Sequence, residues 1–293
     1  MAGRAESPWH LGVICGSGLA FGLALDAAQA IEVASPFGLP SAAVNTGTLA
    51  GVRITVLARH GEGHTIPPSQ VNYRANIDVL KRCGVSDLIA LSAIGSLNSA
   101  MAPGSFVAVD QFIDRTSGRV NSFFGPGLVA HVSLADPVCP RMRAGLVAAA
   151  QAEEAVVHDG GCYVAIEGPQ FSTRAESRLY QSWGGDVIGM TGMPEARLAR
   201  EAELPYAMLG MVTDYDSWRS DDTGVEAGNV VAVMQRSAAL AQRVVERMAA
   251  SLPASRSPSP LDAALDGAIM TAATARDQAL VARLQAVAGR VLK

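Results

Sequence analysis

Residues 206–218 read YAMLGMVTDYDSW, and this stretch decides the fold class. Its first part, 206–212, is continuously apolar instead of alternating with polar residues, which is typical of a strand covered on both faces of a sheet. Asp214 and Asp216 follow this run closely. A carboxylate at the mouth of a buried strand is costly unless it has a partner. The two aspartates therefore either bind a ligand or cap the turn that follows.

Similar apolar runs recur along the chain, and helical patterns separate several of them. Strands that alternate with helices predict an α/β fold. We expect a single domain with a central mixed β-sheet flanked by helices, plus a C-terminal helical extension. The predicted strands span residues 11–15, 52–58, 87–94, 105–113, 163–166, 186–190 and 206–212. The predicted helices span residues 69–83, 140–154, 173–183, 194–203 and 226–252.

A change in composition marks the end of this domain. Residues 251–260, SLPASRSPSP, have the Ser and Pro content of a linker, so we expect the domain to span residues 1–250. The extension, 261–293, is predicted to contain one amphipathic helix over 261–290. A helix that follows such a linker can dock elsewhere, and a neighbouring subunit is the expected place.

The composition limits the partners and the compartment. The chain has 293 residues, of which 49% are hydrophobic and 17% are charged, so it can bury a large core. A net charge of -4 without a Lys/Arg block argues against nucleic acid and anionic membranes as partners. The four cysteines show no CxxC spacing, which predicts reduced thiols and a cytoplasmic location.

The N-terminus resembles a signal peptide, because a basic residue, an apolar stretch and a small AQA ending follow one another in residues 1–30. Glu6 and His10 precede the apolar stretch, however, and Gly16-Ser17-Gly18 interrupts it. We therefore predict a first strand that enters a glycine-rich turn. No stretch reaches the ~18–20 uninterrupted apolar residues of a membrane span.

Two polar loops follow predicted strands and contain groups that can bind phosphate. Ser17 lies between glycines, where backbone N–H groups and a hydroxyl can hold an oxyanion, although the same residues also form ordinary tight turns. Arg59 and His60 end the second strand, and the arginine fork suits phosphate, whereas a solvated loop is the alternative. Position favours a ligand, since open α/β sheets bind ligands at the carboxyl ends of their strands.

A metal site is the competing interpretation of one of these loops. His60 and His64 have the i, i+4 spacing of a zinc-binding helix. Two intervening glycines disfavour that helix, and no obvious third ligand follows. We therefore predict no metal site.

Later strands end in small, apolar or aromatic side chains. Ser92 and Thr191 offer hydroxyls to an anion. Met190 offers a soft apolar surface to a sugar, and Phe171 can stack on a planar base. Taken singly, Ser92 is better explained as part of a packing turn and Phe171 as part of the core.

Several blocks of sequence, in consistent order over roughly residues 10–250, resemble the purine nucleoside phosphorylase family. They are RHGEGHTIPPSQVNYRANIDVLK, SAIGSL, VDQFIDRT, HVSLADPVCP, IEGPQFSTRAES, GMTGMPEA and VTDYDSW. The resemblance implies a phosphorolysis, in which a nucleoside and phosphate give a free base and a pentose 1-phosphate without metal or organic cofactor. It also implies a nucleoside phosphorylase-like fold assembled as a homotrimer or a dimer of trimers.

The resemblance also implies which residues form the site. Phosphate would be bound by Ser17, Arg59, His60, Ser92, Ala93 and Thr191. The ribose would lie by Met190, the base between Phe171 with Ser172 and Asp214 with Asp216, and the 5′ substituent near His64 and His131. An apolar residue from a neighbouring subunit, expected in the region 261–270, would close the 5′ pocket.

The aspartate pair then has a predicted catalytic role. A protonated carboxyl on Asp214 would donate to N7 of adenine and accept from its 6-amino group, which makes adenine a better leaving group. This role needs a raised pKa at Asp214, which burial beside Phe171 and Met190 and repulsion from Asp216 would supply. The bound phosphate would stabilise the cationic sugar.

The residues also favour one class of nucleoside. Two carboxylates offer mostly acceptors, so a 6-aminopurine suits them better than a 6-oxopurine. With an apolar 5′ pocket, the predicted reaction converts 5′-methylthioadenosine and phosphate to adenine and 5-methylthioribose 1-phosphate, a salvage step. The alternatives are phosphorolysis of 6-oxopurine nucleosides or 5′-methylthioinosine, a nucleosidase that uses water, and a nucleoside-binding protein without activity.

Overall fold

A computed structural model of the protein describes residues 6–16, 23–219 and 227–292. In these ranges a mixed sheet of eleven strands is flanked by helices, which confirms the predicted fold class. The strands are β1 (His10–Cys15), β2 (Asp26–Ile31), β3 (Val44–Leu49), β4 (Val52–Ala58), β5 (Asp87–Ser96), β6 (Phe106–Val109), β7 (Gln111–Asp114), β8 (Val157–Asp159), β9 (Cys162–Ala165), β10 (Val187–Gly189) and β11 (Tyr206–Asp214). The α-helices are α1 (Tyr73–Arg82), α2 (Pro140–Ala152), α3 (Arg174–Ser182), α4 (Gly192–Glu201), α5 (Ala227–Ser251), α6 (Gln278–Arg283) and α7 (Gln285–Ala288). Short 3-10 helices span Glu62–His64, Pro68–Gln70, Pro260–Ala263 and Ala273–Ala275.

Strand β5 organises the sheet, because β1, β10 and β11 all pair with it. It is parallel to β1 and β11, whereas its last residues pair antiparallel with β10. Strand β4 is parallel to β1 in turn. The carboxyl ends of β1, β4, β5 and β11 therefore point the same way, and the loops that follow them meet at one edge of the sheet.

The hydrophobic core lies on both faces of this sheet. One cluster includes α1 and α4, with Leu80 and Leu198 fully buried, and the other includes α2 and α5, with Leu146 and Val244 fully buried. Every residue of the apolar run 206–212 is buried. This burial explains why the run is continuous rather than alternating.

A β-bulge lies at the end of β11. Val212 is opposite Ile94, and Asp214 is opposite the next residue of β5, Gly95, so Thr213 is an extra residue in the register. Such a bulge changes the direction in which the following side chain points. A Cβ on Gly95 would lie 2.9 Å from Asp214 Oδ1, so the glycine leaves room for this carboxylate.

The N-terminal apolar stretch forms β1 within the sheet, as predicted, and all of its residues are buried. The glycine-rich turn predicted after it falls largely on residues 17–22, which lie outside the described residues. Within the ranges that the structure describes, no helix is long and apolar enough to cross a membrane.

Some strands differ from the sequence prediction. The single strand predicted over 105–113 is wrong, because the chain changes partners at Asp110: β6 pairs with β11 and β7 pairs with β9. Strand β2 was not predicted, since all of its residues are exposed and give no apolar pattern. Strands β3 and β8 were also missed. Strand β8 has only three residues.

The C-terminal extension is not the predicted single helix over 261–290. It consists of the short 3-10 segments, α6 and α7, and Gly267, with φ of +72°, lies within its first part. It packs on its own chain, where Leu265, Leu284 and Val287 are buried in the core. The preceding segment, 251–260, is not an open linker either, because Arg256 in this segment is buried. Docking of the extension on a neighbouring subunit stays a prediction.

Candidate active site

A cavity of about 740 Å³ lies at the carboxyl ends of β4, β5, β10 and β11, where the sequence predicts a ligand site. Most of the predicted site residues line it together, although they come from distant parts of the chain. These residues are Arg59, His60, His64, Ser92, Ala93, Phe171, Met190, Thr191, Asp214 and Asp216.

The remaining predicted residues lie elsewhere. Ser17 is outside the described residues. Ser172 does not line the cavity; it is buried beside Phe171, and its Oγ has no hydrogen-bond partner in the described part of the chain. His131 is exposed and does not line the cavity of its own chain, so one chain alone does not bring it to the site.

Arg59 follows β4 and is completely buried. Its Nε and one terminal nitrogen donate to the two oxygens of Glu195, at 2.8 and 3.1 Å, and its other terminal nitrogen donates to the Leu91 carbonyl at 3.1 Å. Burial alone would lower the pKa of Arg59, but the Glu195 carboxylate outweighs burial and raises it. Among the described residues these bonds use three of the five N–H groups of a guanidinium, so two are left for a ligand in the cavity that Arg59 lines.

Glu195 is a site residue that the sequence reasoning missed. Its side chain is 2% exposed, and Tyr206 also donates to Oε1 at 3.0 Å. Because both partners are buried, the orientation of Arg59 depends on this carboxylate. The only sequence signal was an acidic residue shortly after Thr191, in the first turn of α4.

His60 is held as a neutral ring beside Arg59. Its Nδ1 donates to the Ile66 carbonyl at 2.8 Å, and burial, followed by the charge of Arg59, lowers its pKa to about 4. A neutral imidazole with its proton on Nδ1 has an acceptor at Nε2. The ring stacks on His64 with centroids 4.4 Å apart. In the described ranges no group of three or more His, Cys, Asp and Glu side chains could hold a metal ion.

Two hydroxyl groups stand next to each other at the Arg59 end of the cavity. Ser92 Oγ lies 3.2 Å from Thr191 Oγ1 and also donates to the Ala93 carbonyl at 3.1 Å. Ser92 directly follows Leu91, whose carbonyl binds Arg59. The arrangement of a cation and two hydroxyls is suited to an oxyanion such as phosphate.

Asp214 is anchored by the preceding residue of β11 and by the turn that follows. Its Oδ1 accepts from the backbone amide of Asp216 at 2.8 Å, and its Oδ2 lies 2.7 Å from Thr213 Oγ1. The same Thr213 hydroxyl lies 3.1 Å from the Ile94 carbonyl. A hydroxyl has one hydrogen, so the Thr213 hydroxyl can donate to the Asp214 carboxylate or to the Ile94 carbonyl, but not fully to both. Sequence reasoning gave Thr213 no role.

Asp216 is the more buried member of the pair, at 3% exposed. Burial raises its pKa to about 6, the hydroxyl of Ser177 on α3 partly offsets the shift by donating to Oδ2, and the charge of Asp214 adds to it. The sequence predicts a raised pKa for Asp214, whereas the pKa that burial raises here is that of Asp216. For Asp214 the raised pKa stays a prediction.

One wall of the cavity is apolar and was not predicted. Val230, Val231 and Met234, near the start of α5, line it together with residues from the β9 and β10 loops such as Ile166 and Ile188. Val231 is 44% exposed, which is unusual for a large apolar side chain on a helix that packs on the core. That wall accepts an apolar part of a ligand.

Comparisons with known proteins show the family of the chain. The model of a family described as "Phosphorylase superfamily" matches residues 10–250. The S-methyl-5′-thioadenosine phosphorylases of Bradyrhizobium diazoefficiens and Cereibacter sphaeroides are each 53% identical over 285 residues, which cover 97% of this chain and 98% of the relative.

Solved structures show the same likeness. A methylthioadenosine phosphorylase from an antarctic soil metagenomic library has a TM-score of 0.86 at 41% identity and covers 96% of this chain and 99% of its own. A methylthioadenosine phosphorylase from Schistosoma mansoni in complex with adenine has a TM-score of 0.80 at 34% identity and covers 96% of this chain and 98% of its own.

Proposed function

The chain belongs to the phosphorylase superfamily, and we infer that it catalyses the phosphorolysis of 5′-methylthioadenosine to adenine and 5-methylthioribose 1-phosphate. The enzyme is a pentosyltransferase. One observation carries the inference: a single cavity joins a buried cation with two hydroxyls, a carboxylate pair and an apolar wall. The cation and hydroxyls suit phosphate, the carboxylate pair suits a purine, and the apolar wall suits a 5′-methylthio group.

Phosphate is bound at the Arg59 end. The two N–H groups of Arg59 that are not used internally donate to its oxygens, and the hydroxyls of Ser92 and Thr191 turn from the Ala93 carbonyl and from each other to do the same. Ala93 adds its backbone N–H by family resemblance. Ser17 completes this set by family resemblance. The neutral His60 accepts from a protonated phosphate oxygen through Nε2, instead of adding a second positive charge. The anion then stabilises the sugar as it becomes cationic.

The purine is bound at the Asp214 end. Asp214 Oδ1, fixed as an acceptor by the Asp216 amide, accepts from the 6-amino group. Asp214 Oδ2 carries a proton and donates it to N7 as the glycosidic bond breaks. Phe171, which is 42% exposed, packs on the base with Ser172 beside it.

The 5′-methylthio group lies against Val230, Val231 and Met234, with His64 at the rim. An apolar wall favours a methylthio group over a hydroxyl, because burying an unpaired hydroxyl is costly. Met190 contacts the ribose. This arrangement supports 5′-methylthioadenosine over adenosine as the substrate, and we propose a role in purine and methionine salvage.

The assembly is proposed to be a homotrimer or a dimer of trimers. His131 lies beside Val129 and Met270, which are 40% and 53% exposed, and the Met270 amide donates to the Val129 carbonyl at 2.9 Å. This apolar patch with one histidine would reach the 5′ end of a neighbour's cavity. Light scattering should give three or six times the chain mass of 30.3 kDa. A clean monomer would contradict the shared pocket.

Inorganic phosphate is the co-substrate, and no cofactor or metal is proposed. A cytoplasmic location is proposed because all four cysteines are free thiols. The deciding experiment incubates the protein with 5′-methylthioadenosine and phosphate and follows adenine. Adenine should form only when phosphate is present, whereas formation without phosphate would indicate a nucleosidase. No adenine, with turnover of 5′-methylthioinosine or inosine, would favour the 6-oxopurine alternative.

A further inference from the structure

Arg119 lies on the loop after β7 and is enclosed by the segments that build the cavity. Its side chain is 2% exposed. One terminal nitrogen donates to the carbonyls of Met190 and Met193 at 2.6 and 2.8 Å, and the other donates to the carbonyls of Glu167 and Ile166 at 2.7 and 3.3 Å. The guanidinium thus joins the loop after β9 to the loop after β10.

Arg119 also reaches a third segment. It donates to the hydroxyl of Tyr73 at 3.1 Å, and this hydroxyl donates to the Pro68 carbonyl at 2.9 Å. Pro68 lines the cavity next to Pro67. The Nε of Arg119 donates to Glu167 Oε1 at 3.2 Å, which gives the buried guanidinium a carboxylate partner.

Each of these loops carries a part of the proposed site. The loop after β9 leads to Phe171 on the purine side, and the loop after β10 carries Met190 and Thr191 on the sugar and phosphate side. The loops also fit tightly, because a Cβ on Gly168 would lie 2.4 Å from Met190 Sδ. A planar fork of donors can hold several carbonyls from different directions, whereas a lysine offers a point charge with three donors.

We propose that Arg119 is a positioning residue for the reaction. It holds Thr191 and Phe171 at a fixed separation, so that phosphate and purine lie on opposite sides of the bond that breaks. It touches neither substrate. The proposal rests on the proposed function, since it assigns the alignment of that same site.

A residue that merely stabilises the fold would behave differently, and the chain offers a matched control. Arg256 is also buried, with its side chain 6% exposed, and it pairs with Asp87 and Asp262. Asp87 starts β5, at the end of the strand opposite to the cavity. Arg256→Lys therefore removes a comparable fork far from the site.

The test compares Arg119→Lys with Arg256→Lys in the full-length protein. Thermal unfolding and the kcat and KM for 5′-methylthioadenosine and phosphate are measured well below both melting temperatures. Arg119→Lys should lower kcat about 100-fold at saturating substrates, since a displacement of ~1 Å costs this much in an aligned site. Arg256→Lys should lower the melting temperature and leave kcat within about twofold.

A folded Arg119→Lys variant with kcat within twofold of wild type would overturn the proposal, as would equal kcat losses in the two variants. If Arg119→Lys does not fold, Tyr73→Phe removes only the third link and should lower kcat several-fold, and wild-type constants for it would overturn the proposal. A wild-type protein that forms no adenine would instead count against the proposed function.

Discussion

The backbone amide of Asp216 donates a 2.8 Å hydrogen bond to Oδ1 of Asp214. One aspartate therefore orients the other through the main chain, while the buried side chain of Asp216 binds Ser177 on α3. The two carboxylates have different roles as a result. Both aspartates line the cavity, but among the described residues only the Asp216 carboxylate is bound by a hydroxyl from α3.

Replacing Asp214 by Asn should change the choice of purine. Asn cannot supply an acidic proton to N7, so kcat/KM for 5′-methylthioadenosine should fall by ~10²–10⁴-fold. Its amide can donate to a 6-oxo group, so the ratio of activity on inosine to activity on 5′-methylthioadenosine should rise. Parallel phosphorolysis assays measure both, and an unchanged ratio would exclude base recognition by Asp214.

Replacing Thr213 by Val should lower kcat without changing the packing around the side chain, because the two side chains have nearly the same shape. The variant removes the hydroxyl that lies 2.7 Å from Asp214 Oδ2, and one such hydrogen bond is worth about 1 kcal/mol, or roughly fivefold in rate. Thr213→Ser keeps the hydroxyl and is the matched control. Steady-state kinetics should place the serine variant close to wild type, and equal losses in both variants would contradict a specific role for the hydroxyl.

Replacing Glu195 by Gln should weaken phosphate binding and the fold together. It leaves the buried charge of Arg59 without its carboxylate partner, which typically costs about 3 kcal/mol or more in the free energy of unfolding. The KM for phosphate should rise more than the KM for the nucleoside, because Arg59 loses its orientation. Denaturant unfolding and kinetics with each substrate varied in turn measure these effects.

Glu153→Gln is the control for this change. Glu153 pairs with Arg243 and Arg247, which are 54% and 53% exposed, and pairs at the surface contribute little. This variant should match wild type in both measurements. A Glu195→Gln variant that also matched wild type would show that Arg59 keeps its place without the carboxylate.

Asp216 should make stability depend on pH in a defined window. Its pKa is raised from 3.8 to about 6 in the folded state, so the folded protein binds more protons than the unfolded chain between these values. The stability of the wild type should therefore fall as the pH rises through this window. Asp216→Asn has no carboxyl to titrate, so its free energy of unfolding does not fall in this way. Relative to the wild type, the free energy of unfolding of the variant should therefore increase by at most about 3 kcal/mol between pH 4 and pH 7, since one pKa unit is worth about 1.4 kcal/mol.

Denaturant unfolding of both proteins across that range checks this expectation. The difference between them should level off above pH 7, where Asp216 is fully ionised. A difference that stays constant with pH would mean that Asp216 titrates normally in the folded protein.

Much of the site follows from sequence because its residues lie in or directly after the carboxyl-terminal parts of buried strands. The apolar runs predict β4, β5 and β11; Arg59 follows β4, Asp214 ends β11, and Ser92 lies in the second half of β5. Glu195 could not be found this way, because it lies 136 residues from Arg59 and nothing local reveals their pairing. The contacts of Arg119 could not be predicted from sequence either. Their acceptors are mostly backbone carbonyls, which every residue has.

The prediction of a single helix for the extension was wrong for a different reason. Its apolar residues have a helical spacing, but they pack on the core from several short segments instead of one continuous face. Side chains such as Asp277, which accepts from the amides of Ala279 and Leu280, begin a new helix late in the segment. Tertiary contacts thus override the local periodicity.

The extra residue in β11 makes the length of the stretch from Val212 to Asp214 as restrictive as its composition. Deleting Thr213 would restore a regular ladder with β5, remove the hydroxyl that contacts Asp214 and undo the change of direction that the bulge gives to the aspartate side chain. Side chains in this strand can therefore be substituted, but deletion of one residue would abolish activity while the strand stays paired in the sheet.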